Sequence, residues 1–239
     1  MSTRLSGMPR PADPVEPPWW TPRKQPTARR NLTREAIVTT ALAVLREEGV
    51  DGLSMRRIAA DLGTGPASLY AHVANKDELL ELLVDEVMGG IEAPAVDPAR
   101  WREQLTGLWV AAYQGLLANG DIARAIMARV PLGPNALRLS EAATALMVAG
   151  GVEPRTIAWS LDIISLYVVG SAVEDAVSTA LARSGRDAGE YYQGIADYLA
   201  ALPAERFPHL VALSAEHAQG DRDERFRFGL DLLVRGLTA

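Results

Sequence analysis

The side chains best suited to chemistry crowd into one short stretch, residues 64–79, TGPASLYAHVANKDEL. Ser68, Tyr70, His72 and Lys76 bring two hydroxyls, an imidazole and an ammonium to a background of Gly65, Pro66, Ala67, Ala71 and Ala74. All four can donate hydrogen bonds, and the lysine adds positive charge. The companions that catalysis would need are missing. The chain has no cysteine, and its three histidines (His72, His209, His217) form no His-x-x-x-His or His–Glu pair at metal-ligand spacing. No phosphate loop or dinucleotide fingerprint occurs. The expectation is therefore no catalytic residue, no metal, no cofactor and no enzyme activity. Donors and a cation set among small side chains suit close approach to an anionic surface.

The charge distribution supports such a surface at one end only. Over 239 residues the formal net charge is −6, yet residues 1–76 hold 11 Lys+Arg against 7 Asp+Glu, and residues 77–239 hold 13 against 23. An anionic partner fits the front third and not the rest. No signal peptide opens the chain, and the most apolar run, 157–177, carries Asp162. At a bilayer centre that carboxylate would cost about 2.5–3.5 kcal/mol. The reading is no membrane span and a cytoplasmic location, which the absence of cysteine also fits.

The elements that position these groups read as helices. Residues 1–30 hold seven of the 15 prolines and end in the basic run RKQPTARR. They are expected to be a disordered or polyproline-like arm that either stays solvated or tracks phosphates. The Trp19-Trp20 pair within it suggests a segment able to fold back on the protein. From Thr33 the apolar residues Ile37, Ala41, Val44 and Leu45 follow helical spacing, with Gly49 as the stop. Ser54 caps a second helix that closes at Gly63, Pro66 opens a short third, and Asn75 with Glu78 caps a fourth that ends at Gly89-Gly90. Further helices are expected near 98–118, 121–129, 134–149, 153–182, 188–201, 208–218 and 222–237, with no strand pattern.

Helices two and three, joined by Gly63-Thr64-Gly65, make a helix-turn-helix, whose second helix enters the major groove. With Leu69 as the core direction, Val73 joins the buried side. Ala67 and Ala71 point outward, flanked by Ser68 and Tyr70. Alanine methyls can meet thymine methyls, and the hydroxyls can reach phosphates or base edges. Lys76 sits at a helix N-terminus, where a phosphate would be held by the ammonium and free N–H groups together. His72 leans toward the core, with room for one phosphate contact. Arg56 is a candidate for a guanine edge, and Arg57 a weaker one.

The stretch LTREAIVTTALAVLREEGVDGLSMRRIAADLGTGPASLYAHVANKDEL (32–79) resembles the DNA-binding domain of the TetR (tetracycline repressor-like) family, most specifically in SLYAHVANKDEL. The resemblance implies contacts to double-stranded operator DNA at Arg56, Thr64, Gly65, Pro66, Ala67, Ser68, Tyr70, His72 and Lys76. It also implies a homodimer and an all-helical C-terminal domain that binds a small inducer. The arm 1–30 is longer than the family's usual one.

The remaining residues are expected to form a helical bundle. The segment 157–177 is apolar on nearly every face, marking a central or interface helix. Gly170 and Ala172 offer close approach there. On the last helix Phe226, Leu230, Leu233 and Leu237 form one stripe, read either as packing within the bundle or as part of a two-fold four-helix interface. The interface is preferred. Trp109, Tyr113, Met127, Met147, Trp159 and Asp162 are the candidates for lining a ligand cavity, although such bulky stripes also serve as ordinary core. Asp162 needs either an arginine or a polar group of the inducer.

The resulting expectation is an all-α chain: an arm at 1–30, a three-helix helix-turn-helix domain at 31–78, and a ligand-binding and dimerisation bundle at 79–239. Its function would be that of a ligand-responsive transcriptional regulator, most simply a repressor released from its operator by a small molecule. Two alternatives remain at this point: a helical small-molecule carrier with a vestigial DNA-binding domain, and a regulator governed by a protein partner through Trp19-Trp20.

Overall fold

Capping chemistry sets the helix ends. In the computed structural model, which describes residues 17, 19, 20, 32–127, 129–183 and 188–238, the Thr33 hydroxyl accepts the Ala36 N–H at 3.1 Å and starts α1 (Arg34–Gly52). Gly49 lies near its end with φ of 73°, a left-handed geometry that only glycine adopts cheaply, and it kinks the helix where the pattern placed a stop. Ser54 caps α2 (Met55–Asp61), and Pro66 occupies the first turn of α3 (Pro66–Leu69). Asn75 Oδ1 accepts the Glu78 N–H at 2.8 Å to open α4 (Lys76–Gly89), and the Glu78 carboxylate accepts the Ala74 N–H at 2.6 Å in return.

Seven larger and smaller helices follow as far as Ala218: α5 (Trp101–Ala118), α6 (Ile122–Ile126), α7 (Pro134–Ala149), α8 (Pro154–Arg183), α9 (Ala188–Ala200), α10 (Pro208–Ala212) and α11 (Ser214–Ala218). The last, α12 (Arg222–Arg235), ends in a 3-10 turn. Three expectations shift. Pro98 precedes α5 by a short turn instead of starting it, the helix expected over 121–129 is shorter, and that over 208–218 is broken at Leu213. Among the described residues there is no strand.

One buried cluster runs the length of the molecule. Ile37, Leu45, Ile58 and Leu69 fill the space between α1, α2 and α3. Leu105, Leu116, Leu146, Ile164 and Leu230 fill that between α5, α7, α8 and α12. The helix common to both regions is α4, which packs on α1 at one end and on α5, α6 and α7 at the other. By length and composition α8 is apolar enough to cross a membrane. In the fold it packs on α5, α6, α7 and α12 and buries Val168, Val169 and Ala172.

Most of the arm 1–30 lies outside the described residues, but Pro17, Trp19 and Trp20 correct the expectation of disorder where they stand. Trp20 is only 7% exposed and belongs to the core cluster. Its Nε1 donates to Glu81 Oε2 at 2.8 Å, and Trp19 Nε1 donates to the same oxygen at 2.9 Å. The Arg34 guanidinium stands 5.9 Å from the Trp20 ring. A carboxylate that accepts two indole donors, with a cation behind the ring, is a specific seat.

Candidate nucleic-acid interface and ligand cavity

The turn between α2 and α3 is built by backbone geometry. Gly63, at φ of 63°, lets its own N–H reach the Ala60 carbonyl at 3.0 Å and the Thr64 N–H reach that of Ala59 at 2.9 Å. This paired closure is the glycine-dependent helix ending that reverses the chain sharply. Leu69 and Val73 are fully buried and hold α3 down. Gly65, Pro66, Ala67 and Ser68 are left exposed, Tyr70 half exposed, and Thr64 and His72 partly buried. Ala71, expected to point outward, is partly buried, because the α-helix stops at Leu69 and the chain continues as turns to Val73. A helix wheel applied past that point misplaces the side chain.

The two neighbouring arginines separate cleanly. Arg57 is ion-paired to Glu48 and, at 3.0 Å, to Asp61. Arg56 is exposed. Lys76 Nζ donates to the Val50 carbonyl at 3.1 Å, so the ammonium ties the start of α4 to the end of α1, whose last turn has no basic residue of its own. Its remaining donors are the ones open to a phosphate. Arg34 and Glu78, both buried, face each other at 3.6 Å and make a second tie between α1 and α4.

Beyond α4 lies a cavity of about 300 Å³, lined mostly by apolar side chains of α4, α5, α7 and α8, among them Met88, Trp109, Leu139 and Val169. Trp109 and Asp162, two of the expected lining residues, are part of its wall. Asp162 is exposed at the mouth, so water satisfies it and no arginine is needed. Three of the other expectations, Met147, Trp159 and Met127, are corrected, and Tyr113 lines a second cavity. Met147 is fully buried and accepts a weak hydrogen bond from Ser160 at 3.4 Å, as ordinary core. Trp159 is 58% exposed with Arg155 stacked on it, and Met127 lies outward just past α6. Tyr113 faces a different space, a cleft of about 660 Å³ shared with Tyr167, Asp175, Arg222 and Phe226. In it Tyr113 stacks on Phe226 at 3.8 Å and donates to Asp175, which also pairs with Arg222. Burial first, then Asp175, pushes the Tyr113 phenol far above its ordinary value, so it remains a donor. The larger cleft is thus lined by polar and aromatic groups already engaged with one another. The smaller, apolar one has the lining expected of a site for a small molecule.

The apolar stripe expected as the dimer interface is largely inside the chain. Phe226, Leu230 and Leu237 are buried and Leu233 partly so, because the Tyr113 and Tyr167 rings and the faces of α5 and α8 cover them. Ala172 is buried too, while Gly170 is partly open with free space around its Cα. Among the described residues, the large exposed apolar side chains on these two helices are Trp159, Ile163, Leu166 and Val177 of α8, and Phe228 and Leu232 of α12.

Two groups that sequence reasoning passed over join α4 to the cavity wall. Asp85, 7% exposed, accepts the backbone N–H groups of Asn135 at 2.9 Å and Ala136 at 3.1 Å, and the Asn135 amide at 3.1 Å. It therefore caps α7 from another helix. A Cβ at Gly133 would overlap it. Burial raises the Asp85 pKa, and the Ala136 and Asn135 donors and Arg138 oppose that rise. The signals were an aspartate inside the apolar run LLELLVDEVM, and a helix starting Gly133-Pro134 with no capping side chain. The second group is Arg129, which pairs with Asp77 at 2.5 Å and faces Glu81 at 3.9 Å.

Comparison with known proteins follows the same two-part division. Residues 37–83 match the profile of the bacterial regulatory proteins of the tetR family, and residues 93–239 that of the tetracyclin repressor-like C-terminal domain. An HTH-type transcriptional regulator of Saccharopolyspora erythraea is 32% identical over 222 residues, covering 92% of this chain and 91% of that protein. The HTH-type transcriptional repressor DrrR1 of Streptomyces coeruleorubidus is 32% identical over 240 residues, covering 99% and 88%. Among solved structures, ActR of Streptomyces coelicolor in complex with actinorhodin superposes with a TM-score of 0.78 at 41% identity, covering 87% of this chain and 97% of that one.

Proposed function

This chain belongs to the tetR family of bacterial regulatory proteins, and we propose that it is a cytoplasmic repressor that leaves its operator when a small molecule fills the cavity of about 300 Å³. It is a ligand-responsive DNA-binding transcriptional regulator. The DNA-reading unit spans 31–78 and the ligand and dimerisation unit 79–239. Arg56, Thr64, Gly65, Pro66, Ala67, Ser68, Tyr70, His72 and Lys76 form the surface laid against DNA. The arginine and the small residues meet base edges; the hydroxyls and the ammonium meet phosphates.

The observation that carries this reading is the position of α4. One helix is tied to the reading domain by Lys76 and Arg34–Glu78, and to the cavity wall by Asp85. Movement of the wall therefore tilts the reading domain. The occupant is a small, predominantly apolar molecule with a polar end toward Asp162 and Ser165. That ActR was solved with actinorhodin makes this compound the first to try.

The functional unit is a homodimer. Trp159, Ile163, Leu166 and Val177 recur along α8 at the spacing of one helical stripe, and Phe228 and Leu232 add to it from α12. Two such faces meeting around a two-fold axis make a four-helix interface. The two α3 helices then read half-sites about 34–36 Å apart. Fluorescence anisotropy with labelled duplexes from the DNA upstream of its gene tests the whole. Specific binding in the nanomolar range, released by actinorhodin or a related compound, supports the reading. Equal affinity for every duplex at physiological salt refutes it.

A further inference from the structure

We propose that Trp19 and Trp20 form a latch on α4 that opens when the ligand cavity is filled. This rests on the cavity being the inducer site. The latch meets the cavity at Glu81. One carboxylate oxygen of Glu81 accepts both indole N–H groups, and the other faces Arg129 NH1 at 3.9 Å, beyond full ion-pair contact.

Arg129 belongs to a shared wall. A small crevice beside Glu81 and Arg129 is bounded by Ile126, Val130, Pro131 and Ala136, and the same four residues line the apolar cavity of about 300 Å³ on its other side. A molecule that enters the cavity bears on this wall and drives Arg129 toward Glu81. A guanidinium at full contact is a stronger donor to a carboxylate than a neutral indole, and it reorients the group that both indoles need. The Trp20 indole, buried against Arg34, then loses its acceptor and cannot stay in place without one. The N-terminal segment is released from the helix that tilts the reading domain. Ligand binding and seating of the segment are thus negatively coupled, and the coupling is reciprocal.

Hydrogen exchange at the Trp20 amide reports the latch, because that N–H is bonded to the Pro17 carbonyl at 3.1 Å in the seated segment. The probe for the cavity is 1-anilinonaphthalene-8-sulfonate, scored independently by its own fluorescence, on the full-length chain. In the wild type, saturating dye should speed Trp20 exchange by about threefold or more. Arg129→Ala should bind dye and show no such response. Ala158→Trp, at the exposed mouth of the cavity, should abolish dye binding and response together. Without dye, Glu81→Leu should release the segment outright, by about tenfold or more in exchange.

Dye that binds in an Ala158→Trp-sensitive way while Trp20 exchange stays unchanged overturns the latch. So does a response that persists in Arg129→Ala, or slow exchange in Glu81→Leu. Absence of Ala158→Trp-sensitive dye binding overturns instead the assignment of the cavity, and the latch falls with it.

Discussion

Replacing Asp85 by alanine should loosen the joint between α4 and the start of α7 in the cavity wall by a calculable amount. The carboxylate satisfies two backbone N–H groups at the start of α7, one of them in a buried environment, and one side-chain amide. Leaving a buried donor unpaired costs about 1–3 kcal/mol, and losing a helix cap about 1 kcal/mol. The relief of burying a carboxylate works the other way, since burial is the largest influence on this group. The net expectation is a loss of about 2–3 kcal/mol. For a chain of this size each kcal/mol moves the melting temperature by about 2–4 °C, so the midpoint should fall by about 4–12 °C. Asp85→Asn keeps one oxygen for the two backbone donors and should lose less than half as much. The assay is thermal unfolding followed by circular dichroism at one fixed protein concentration, since dimerisation makes the midpoint concentration-dependent. An alanine variant within about 0.5 kcal/mol of the wild type, or an asparagine variant worse than alanine, would show that Asp85 does not carry the joint.

Because burial raises the folded-state pKa of Asp85, the protonated form is favoured by folding. Wild-type stability relative to Asp85→Asn should therefore be greatest below about pH 4, the ordinary aspartate range, and should decline as pH rises through the folded value; urea melts across that window that show the opposite slope exclude the assignment. If the proposed dimer forms through the exposed face of α8 and α12, Leu232→Asp should give a folded monomer, because its side chain is exposed in the single chain, whereas Leu230→Asp should unfold the chain by placing a carboxylate in the core at a cost of several kcal/mol. Sedimentation equilibrium with circular dichroism separates the two, and a dimeric Leu232→Asp protein moves the interface elsewhere. Arg56→Ala should lower affinity for the operator by about 1–3 kcal/mol while leaving non-specific binding almost intact. Lys76→Ala should weaken binding to all duplexes alike and reduce the salt slope by about one; an unchanged slope would confine Lys76 to its bond with Val50.

Local rules carried the helices because local chemistry decides them. Thr33, Ser54 and Asn75 each accept the backbone N–H that their cap positions predict. The buried side of the short third helix was legible for the same reason: Leu69 is fully buried and Gly65, Pro66, Ala67 and Ser68 are left exposed, whereas Ala71, past the end of the helix, was misplaced. The bundle was harder. On α8, apolar residues occupy nearly every face, so periodicity could not tell the core residue Val168 from the exposed Leu166. On α12, the stripe of Phe226, Leu230 and Leu237 was read correctly as apolar but assigned to the wrong neighbour, since the rings that cover it come from Tyr113 and Tyr167, far away in sequence. Trp20 and Glu81 are separated by 61 positions, and no spacing rule spans that distance.

The residues proposed to read base edges, Arg56, Ala67 and Ser68, contribute almost nothing to the core. Arg56, Ala67 and Ser68 are exposed, and the neighbouring ion pairs of α2 run through Arg57. Substitution there should leave folding nearly untouched while changing which sequence is bound. Operator choice can consequently diverge by single steps, without compensating changes elsewhere in the protein. After gene duplication, two copies could part company in the promoters they occupy while still answering to the same molecule.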